Sequence, residues 1–488
     1  MLPRIQLDSE SDTPLYRQLY EQLASAISAG RLARGERLPA TRELASSIGL
    51  ARASVEAAYK LLETDGLIKG YVGRGSFVEG KSHVDWESLI PVEEAHEPAA
   101  PPSVPIAAVS FSASRPSEAE FPLDEFRATC HEVLDSNEAI NILQLGPASG
   151  YGPLRKFLLD YLRARGVAGR DDEILITSGA QQAFDLIQRV LASRGETVVI
   201  EDPVYPGLRN AFLRGGARVI GAPMSNDGVE IDSLSRILER EHPRLMVLTS
   251  NFQNPTGTTI PEPARKEILE LAQKAGVVVI ENDLYGALRY SGKDLAPIKQ
   301  LDATGDTILL GSFSKIAFPG LRVGWVVGPR HFIARLTEAK EASDLHSDQL
   351  SQAVLLRFAE SGRLEAHLNK MLQIGAARLK AVLEGCAAEL PAGSEYTRPE
   401  GGMNVWIKLP DAMDASDLAI RAARESVSFL PGKYFTVSRP QTSSLRLSFA
   451  GLEPAKLSWG MRVLGTLFRS EAERIRDARS AEPAPALV

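Results

Sequence analysis

Cysteine is almost missing from this chain. The two present, Cys130 and Cys386, cannot build a disulfide framework, which points to a reducing compartment and a cytoplasmic protein. No run of about 18 apolar residues offers a membrane span, and residues 1–8 lack the apolar core of a secretion signal. Positive charge is not in excess either. The net charge is −7, and within residues 1–80 ten Arg and Lys face ten Asp and Glu. Bulk electrostatics therefore argues against a general affinity for nucleic acid. The seven histidines are scattered, with no Cys/His/acid spacing for a metal. No nucleotide-type phosphate loop and no internal repeat is found.

What is present divides the chain into segments, since 488 residues exceed one compact core. Residues 10–79 read as a small helical domain ending in a hairpin. Leu15, Leu19, Leu23 and Ile27 recur every fourth residue and give a first helix its apolar stripe. A second is expected from Thr41 as N-cap, with Glu43 in its first turn, to Gly49. A third is expected over 52–65, and two short strands, 67–70 and 75–78, flank Gly73-Arg-Gly75. Residues 80–108 hold Pro91, Pro98, Pro101, Pro102 and Pro105 among acids, the composition of a linker. At ~3.1 Å per residue in extended form it spans tens of ångströms. From 109 to 470 strands and helices alternate, which implies an α/β domain on a largely parallel sheet. Strands are expected at 173–176, 197–200, 245–248, 277–280, 307–310 and 323–327. Ligands of such sheets gather at the carboxyl ends of the strands. Residues 471–488 read as a polar tail.

In the N-terminal domain, two helices joined by a turn at Gly49 form the arrangement that sets one helix in the major groove. Arg42, Arg52 and Ser54 would lie near the groove or its phosphates, and Arg74 at the hairpin tip near a minor groove or phosphate. The helix pattern alone fits a small interaction module equally well. Gly35-Glu-Arg-Leu-Pro-Ala-Thr-Arg-Glu-Leu-Ala45, Arg52-Ala-Ser-Val55 and Gly73-Arg-Gly-Ser-Phe-Val78, in this order, resemble the GntR-type winged helix-turn-helix over its whole length. Ala51 stands where that family usually has a serine capping the recognition helix, a loss of about 1 kcal/mol.

The larger domain carries a dispersed set. Thr177-Ser-Gly-Ala-Gln-Gln-Ala-Phe184 follows a strand and opens a helix, where N–H groups and the helix dipole suit a phosphate. Asn254-Pro-Thr-Gly257 is a further turn. Asp283, in Glu281-Asn-Asp-Leu-Tyr285, is a carboxylate at a strand end that would protonate a pyridine nitrogen, or else cap a helix. Tyr285 and Asn254 would bond the ring's phenolic oxygen, and Tyr205 would lie on the ring. Lys315, in Ser312-Phe-Ser-Lys315 and seven residues before Arg322, is placed to form a Schiff base, with Arg322, Ser312 and Ser314 around a phosphate.

Together these motifs resemble the fold-type-I aminotransferases over about residues 110–470. The resemblance implies an α/β pyridoxal-phosphate fold with a smaller α+β C-terminal subdomain. Position by position it implies Lys315 as the cofactor lysine, Asp283 as the pyridinium partner, and Gly179, Ala180, Gln181, Ser312, Ser314 and Arg322 as phosphate ligands. Arg446 matches the arginine that grips a substrate carboxylate. Two departures stand out. Leu145 occupies the place of a tyrosine that often precedes the Gly150–Arg155 segment and reaches the neighbouring subunit's phosphate, so that contact is lost or supplied otherwise, with Tyr151 as the candidate. Ser114 and Arg115 stand where a glycine often lies near the substrate.

The whole arrangement resembles the MocR/GabR type of bacterial regulator. That implies a homodimeric transcription factor that binds operator DNA, takes no metal, and senses an amino compound as an external aldimine formed in exchange for Lys315. A catalytically active aminotransferase of α-amino acids carrying a DNA-binding module is the alternative; a sensor of the cofactor level controlling vitamin B6 synthesis is a third.

Overall fold

The computed structural model describes residues 5–9, 11, 13–79, 108–438 and 441–481, in two units, Met1–His96 and Glu97–Val488. The expected linker, apart from Ala108, lies outside the described residues.

The first unit follows the apolar periodicity. Helices Leu15–Ser28, Thr41–Ile48 and Arg52–Thr64 precede the antiparallel strands Ile68–Tyr71 and Gly75–Val78. Leu19, Leu23, Leu44, Val55, Ala58 and Leu62 form its buried centre with Ile68 and Val78, and burying each leucine contributes about 1.5–3 kcal/mol. Tyr59 anchors the second helix by donating to Pro39 O at 2.9 Å. The expected N-cap at Thr41 is corrected: Thr41 is the first helical residue, Ala40 precedes it in extended conformation, and no side chain caps the helix. Ala51 likewise provides no cap to the helix at 52–64, as its side chain dictates.

In the second unit, six strands run parallel, in spatial order Asp172–Thr177, Ile308–Ser312, Val278–Asn282, Leu245–Leu248, Thr197–Asp202 and Arg218–Ser225, with Gly324–Pro329 inserted antiparallel between the first two. The strand at 218–225 was not expected, because only part of it is apolar and buried. Val198, Ile200, Val247 and Ile280 pack on one face under helix Ala180–Leu191, and Val199, Met246, Leu248 and Val279 on the other under helix Glu262–Ala275. A four-stranded antiparallel sheet, 395–396, 404–408, 444–448 and 430–431, forms the smaller α+β part with helices Arg363–Glu389 and Pro454–Ala481. Val109–Ser110 joins this part, pairing with Val427–Ser428.

The polar tail expected from 471 is also corrected. Helix Pro454–Ala481 continues through it, because Glu471 is buried and accepts from Arg421 and Arg474 at 2.6 Å each, and Ile475 still packs on the core. A polar run here marks exposure of one helix face, not the end of structure. Residues 482–488 lie outside the described residues.

Buried ionic side chains brace the loops at the carboxyl edge of the large sheet. Arg265, fully buried, donates to Ile260 O, Ala296 O, Ser250 O and Asn251 Oδ1, all at 2.8 Å. Glu281 accepts from Ser250 Oγ at 2.6 Å and from the N–H groups of Ile298 and Lys299 at 2.9 Å. Glu201 accepts from Thr249 N–H at 2.8 Å and Gln253 Nε2 at 3.1 Å, and its burial pushes the carboxyl up to about 7.

Two outcomes follow. Ala51→Ser restores a cap worth about 1 kcal/mol and should slow amide exchange at 52–55 about fivefold in the intact chain; unchanged exchange would show that packing already holds that turn. A carboxyl whose folded value is raised binds its proton more tightly folded than unfolded, so Glu201 lowers stability as pH rises from its ordinary 4.5 to about 7. The stability of Glu201→Gln relative to the parent, read by chemical denaturation, should accordingly increase over that window.

Candidate functional site

A cavity of about 600 Å³ opens at the carboxyl edge of the large sheet and takes in the groups singled out above: Ala180, Gln181, Tyr205, Asn254, Tyr285, Ser312, Ser314, Lys315, Arg322 and Arg446. Helix Ala180–Leu191 points its N-terminus here, and no side chain caps it. Gly179, at φ 84°, makes this possible: a Cβ there would sit 2.3 Å from Arg322 Nη2. Arg322 itself has φ 55° and reaches Ser178 O at 3.1 Å and Ser314 Oγ at 3.5 Å. Ser312 Oγ donates to Ser314 Oγ at 3.0 Å. Free helix N–H groups, two hydroxyls and a guanidinium converge as a dianion requires.

Lys315 follows the strand Ile308–Ser312 on a short 3-10 turn. Its Nζ donates to Ser114 O at 2.7 Å and lies 5.5 Å from the centre of the Tyr285 ring. Asn254 Nδ2 donates to the Tyr285 hydroxyl at 3.3 Å, so the two residues expected at a phenolic oxygen are adjacent. Tyr205 lies at the rim, 45% exposed, beside Gly207, whose carbonyl accepts from Gln181 Nε2 at 2.9 Å.

Arg446 is buried in the strand Ser444–Ser448. Nη1 donates to Asn254 Oδ1 at 3.1 Å, Nη2 donates to Ser112 O, and the guanidinium lies 5.0 Å from the Phe435 ring centre. Its Nε–H has no partner, and burial lowers its pKa to about 10. No carboxylate among the described residues forms an ion pair with it, which leaves a buried cation ready for a ligand's carboxylate.

Asp283 does not line the cavity; its carboxylate accepts from Asn251 Nδ2 at 3.0 Å and from the Gly286 N–H. Strand alternation is the reason. Ile280 lies on the face of helix 180–191, and Asn282, two residues on, faces the cavity with it. Glu281 and Asp283 belong to the opposite side, where burial raises both carboxyls. Sequence reasoning missed Asn282 along with Thr249 and Phe435, which also line the cavity; counting parity from the apolar Ile280 would have found the first. Tyr151 does not supply a phosphate contact within its own chain, since its hydroxyl donates to Glu138 at 3.0 Å. The lining residues therefore fit pyridoxal phosphate at its phosphate, aldehyde and phenolic ends, while Asp283 is not among them.

The DNA candidates are all on the first unit's surface. Arg42 stands in the first turn of helix 41–48, Arg52 opens helix 52–64 with Ser54 half-buried two residues further on, and Arg74 occupies the hairpin tip. Arg52 pairs with Glu56 at 2.7 Å on an open face, a contact weak enough for a phosphate to displace. Among the described residues no group of acids, His and Cys could hold a metal, and no helix is long and apolar enough to cross a membrane.

Comparison with known proteins agrees with this division. The family model for aminotransferase class I and II matches residues 117–464, and that for bacterial regulatory proteins of the gntR family matches 15–78. The uncharacterized HTH-type transcriptional regulator YdfD of Bacillus subtilis is 30% identical over 480 residues, covering 94% of this chain and 98% of its own. The probable rhizopine catabolism regulatory protein MocR of Rhizobium meliloti is 28% identical, covering 95% of each chain. Kynurenine aminotransferase of Pyrococcus horikoshii, solved in complex with PMP, superposes with a TM-score of 0.73 at 35% identity over 75% of this chain and 92% of that one. The chain belongs to the class I and II aminotransferase family and, like these two full-length relatives, carries that domain behind a gntR-family regulatory module.

Proposed function

We propose that this protein is a pyridoxal-phosphate-dependent, DNA-binding transcription regulator that senses an amino compound bearing a carboxylate. One hydrogen-bond pattern carries the reading. Lys315 and Arg446, the groups that a ligand's amine and carboxylate would engage, both donate to the same short segment, through Ser114 O and Ser112 O. That segment lies just beyond residues 80–107, the stretch of chain that leads from the DNA module.

The cofactor supplies a carbonyl carbon that captures primary amines and a ring that withdraws electrons. The protein holds it through Gly179, Ala180, Gln181, Ser312, Ser314 and Arg322 at the phosphate, and through Tyr285 and Asn254 at the phenolic oxygen. A ligand amine that takes the place of Lys315 leaves Nζ to the Ser114 carbonyl, and a ligand carboxylate on Arg446 competes with Ser112 O and Asn254. Both events change the hold on residues 112–114. Arg42, Arg52, Ser54 and Arg74 contact operator DNA. The protein works as a homodimer in the cytoplasm; Ile140, Leu143 and Leu145, apolar and well exposed within a few residues of each other, support a partner subunit on that side. By linkage, operator and effector each change the other's affinity by one factor.

A second reading, an active aminotransferase carrying a DNA module, is favoured by the presence of Lys315, Arg446 and the Tyr285–Asn254 pair in one cavity and by the likeness to an aminotransferase at 35% identity.

Absorbance titration of the intact protein with amino acids, followed by product analysis and operator binding by fluorescence anisotropy, separates the two. A regulator should show a lasting spectral change, little keto acid and an altered operator affinity; steady keto-acid release with no change in operator affinity would install the enzyme reading. Lys315→Ala should abolish the original visible band, and persistence of that band would remove Lys315 from the site. Arg446→Gln should weaken the response to amino acids about 10- to 100-fold, the loss of one charged hydrogen-bond set, and spare amines without a carboxylate. Equal weakening of both ligand classes would deny Arg446 this role.

A further inference from the structure

Asn282 is buried, lines the cavity, and its Oδ1 has no hydrogen-bond partner. A buried amide oxygen left unpaired costs about 1–3 kcal/mol, so such an atom beside a cavity marks a place where a ligand donor belongs. The neighbouring bonds fix which end of the amide faces inward. Asn282 Nδ2 donates to the Thr249 hydroxyl oxygen at 3.2 Å. With Nδ2 committed to Thr249, the oxygen is the free end.

The nearest carboxylates are unavailable. Asp283 is held by Asn251 and the Gly286 N–H on the other side of the chain. Glu281 is saturated by Ser250, Ile298 and Lys299. Glu201 is engaged by Thr249, Gln253 and burial. Charges nearby do not substitute either: Arg265, on that same far side, spends its donors on four backbone and amide oxygens.

We propose that Asn282, and not an acid, faces the pyridine nitrogen of the cofactor, and that this neutral partner leaves the ring a weak electron sink. The inference rests on the proposed cofactor site and deepens it. A carboxylate offsets the positive charge of a protonated ring nitrogen; an amide oxygen accepts the N–H but brings no counter-charge, so the nitrogen gives up its proton more readily. Removal of a proton from the α-carbon of a bound amino acid leaves an electron pair that a protonated ring withdraws strongly and a neutral one weakly. Exchange of a ligand amine for the Lys315 amine at the cofactor's carbonyl carbon needs no such withdrawal. The site thus favours holding an amino acid over converting it, which selects the regulator over the enzyme.

The test is ¹⁵N NMR of the intact protein loaded with pyridoxal phosphate labelled at the ring nitrogen, recorded across pH, beside single-turnover absorbance with an amino acid that binds. In the parent protein the nitrogen should carry its proton, paired with Asn282 Oδ1, at the acid end of the range and lose it as pH rises. Asn282→Asp should shift it to the protonated position and speed loss of the amino-acid complex about tenfold or more, equivalent to some 1.4 kcal/mol of barrier. Asp283→Asn should leave the nitrogen signal where it was. A parent nitrogen that stays protonated, or one that responds to Asp283→Asn and not to Asn282→Asp, would overturn the inference while leaving the cofactor site intact. The parent measurement alone decides if Asn282→Asp fails to fold. Absence of any cofactor uptake by the parent would instead overturn the functional reading on which this one rests.

Discussion

The cavity depends on buried ionic groups that take over where the sheet's own ladder stops. At the carboxyl edge the strands part, and their last peptide groups lose their neighbours. An unpaired peptide group buried there costs as much as a lost hydrogen bond. Arg265 answers for the carbonyls of Ser250, Ile260 and Ala296, Glu281 for the amides of Ile298 and Lys299, and Glu201 for Thr249. These are the residues that bring Asn251, Asn254 and the Asp283 turn to fixed positions. Chemistry on one side of the sheet edge is thus held by charge on the other, and the acids beneath the cavity are structural.

Much of this was open to reading from the residues because it depends on repeating patterns. Apolar runs at 245–248 and 308–312 are strands covered on both faces. Lys315, Arg322, Ser312 and Ser314 lie within eleven residues of one another, and a strand, a 3-10 turn and a left-handed Arg322 bring them to one point. What escaped was decided by geometry that residue type does not carry. Asp283 carries a charge but does not line the cavity, whereas Asn282 lines it without one. The helix at 471–481 was hidden by its composition: Glu, Arg and Ala there read as solvated, and it took Arg421, fifty residues away, to bury Glu471. Arg446 was located through family likeness alone, since no local pattern in Leu445-Arg-Leu announces that its guanidinium is buried beside Asn254.

The two functional halves also differ in how they meet their ligands. The first unit presents Arg42, Arg52 and Arg74 on open surface, where interaction with phosphates is strong only in sum and falls with salt. The second hides Arg446 from water, so that a single carboxylate counts heavily. On the proposed function, affinity for DNA would be spread over many weak contacts and selectivity for an effector concentrated in few.

The short parallel bridge of Val109–Ser110 with Val427–Ser428 has a mechanical meaning. It fastens the start of the larger unit to the small C-terminal subdomain, with Phe111 and Val109 sunk in that subdomain's core. The first described stretch of the larger unit is therefore fastened to the smaller body, and residues 112–114 run from that fastening into the cavity wall, so the wall there is shared between the large sheet and the small subdomain.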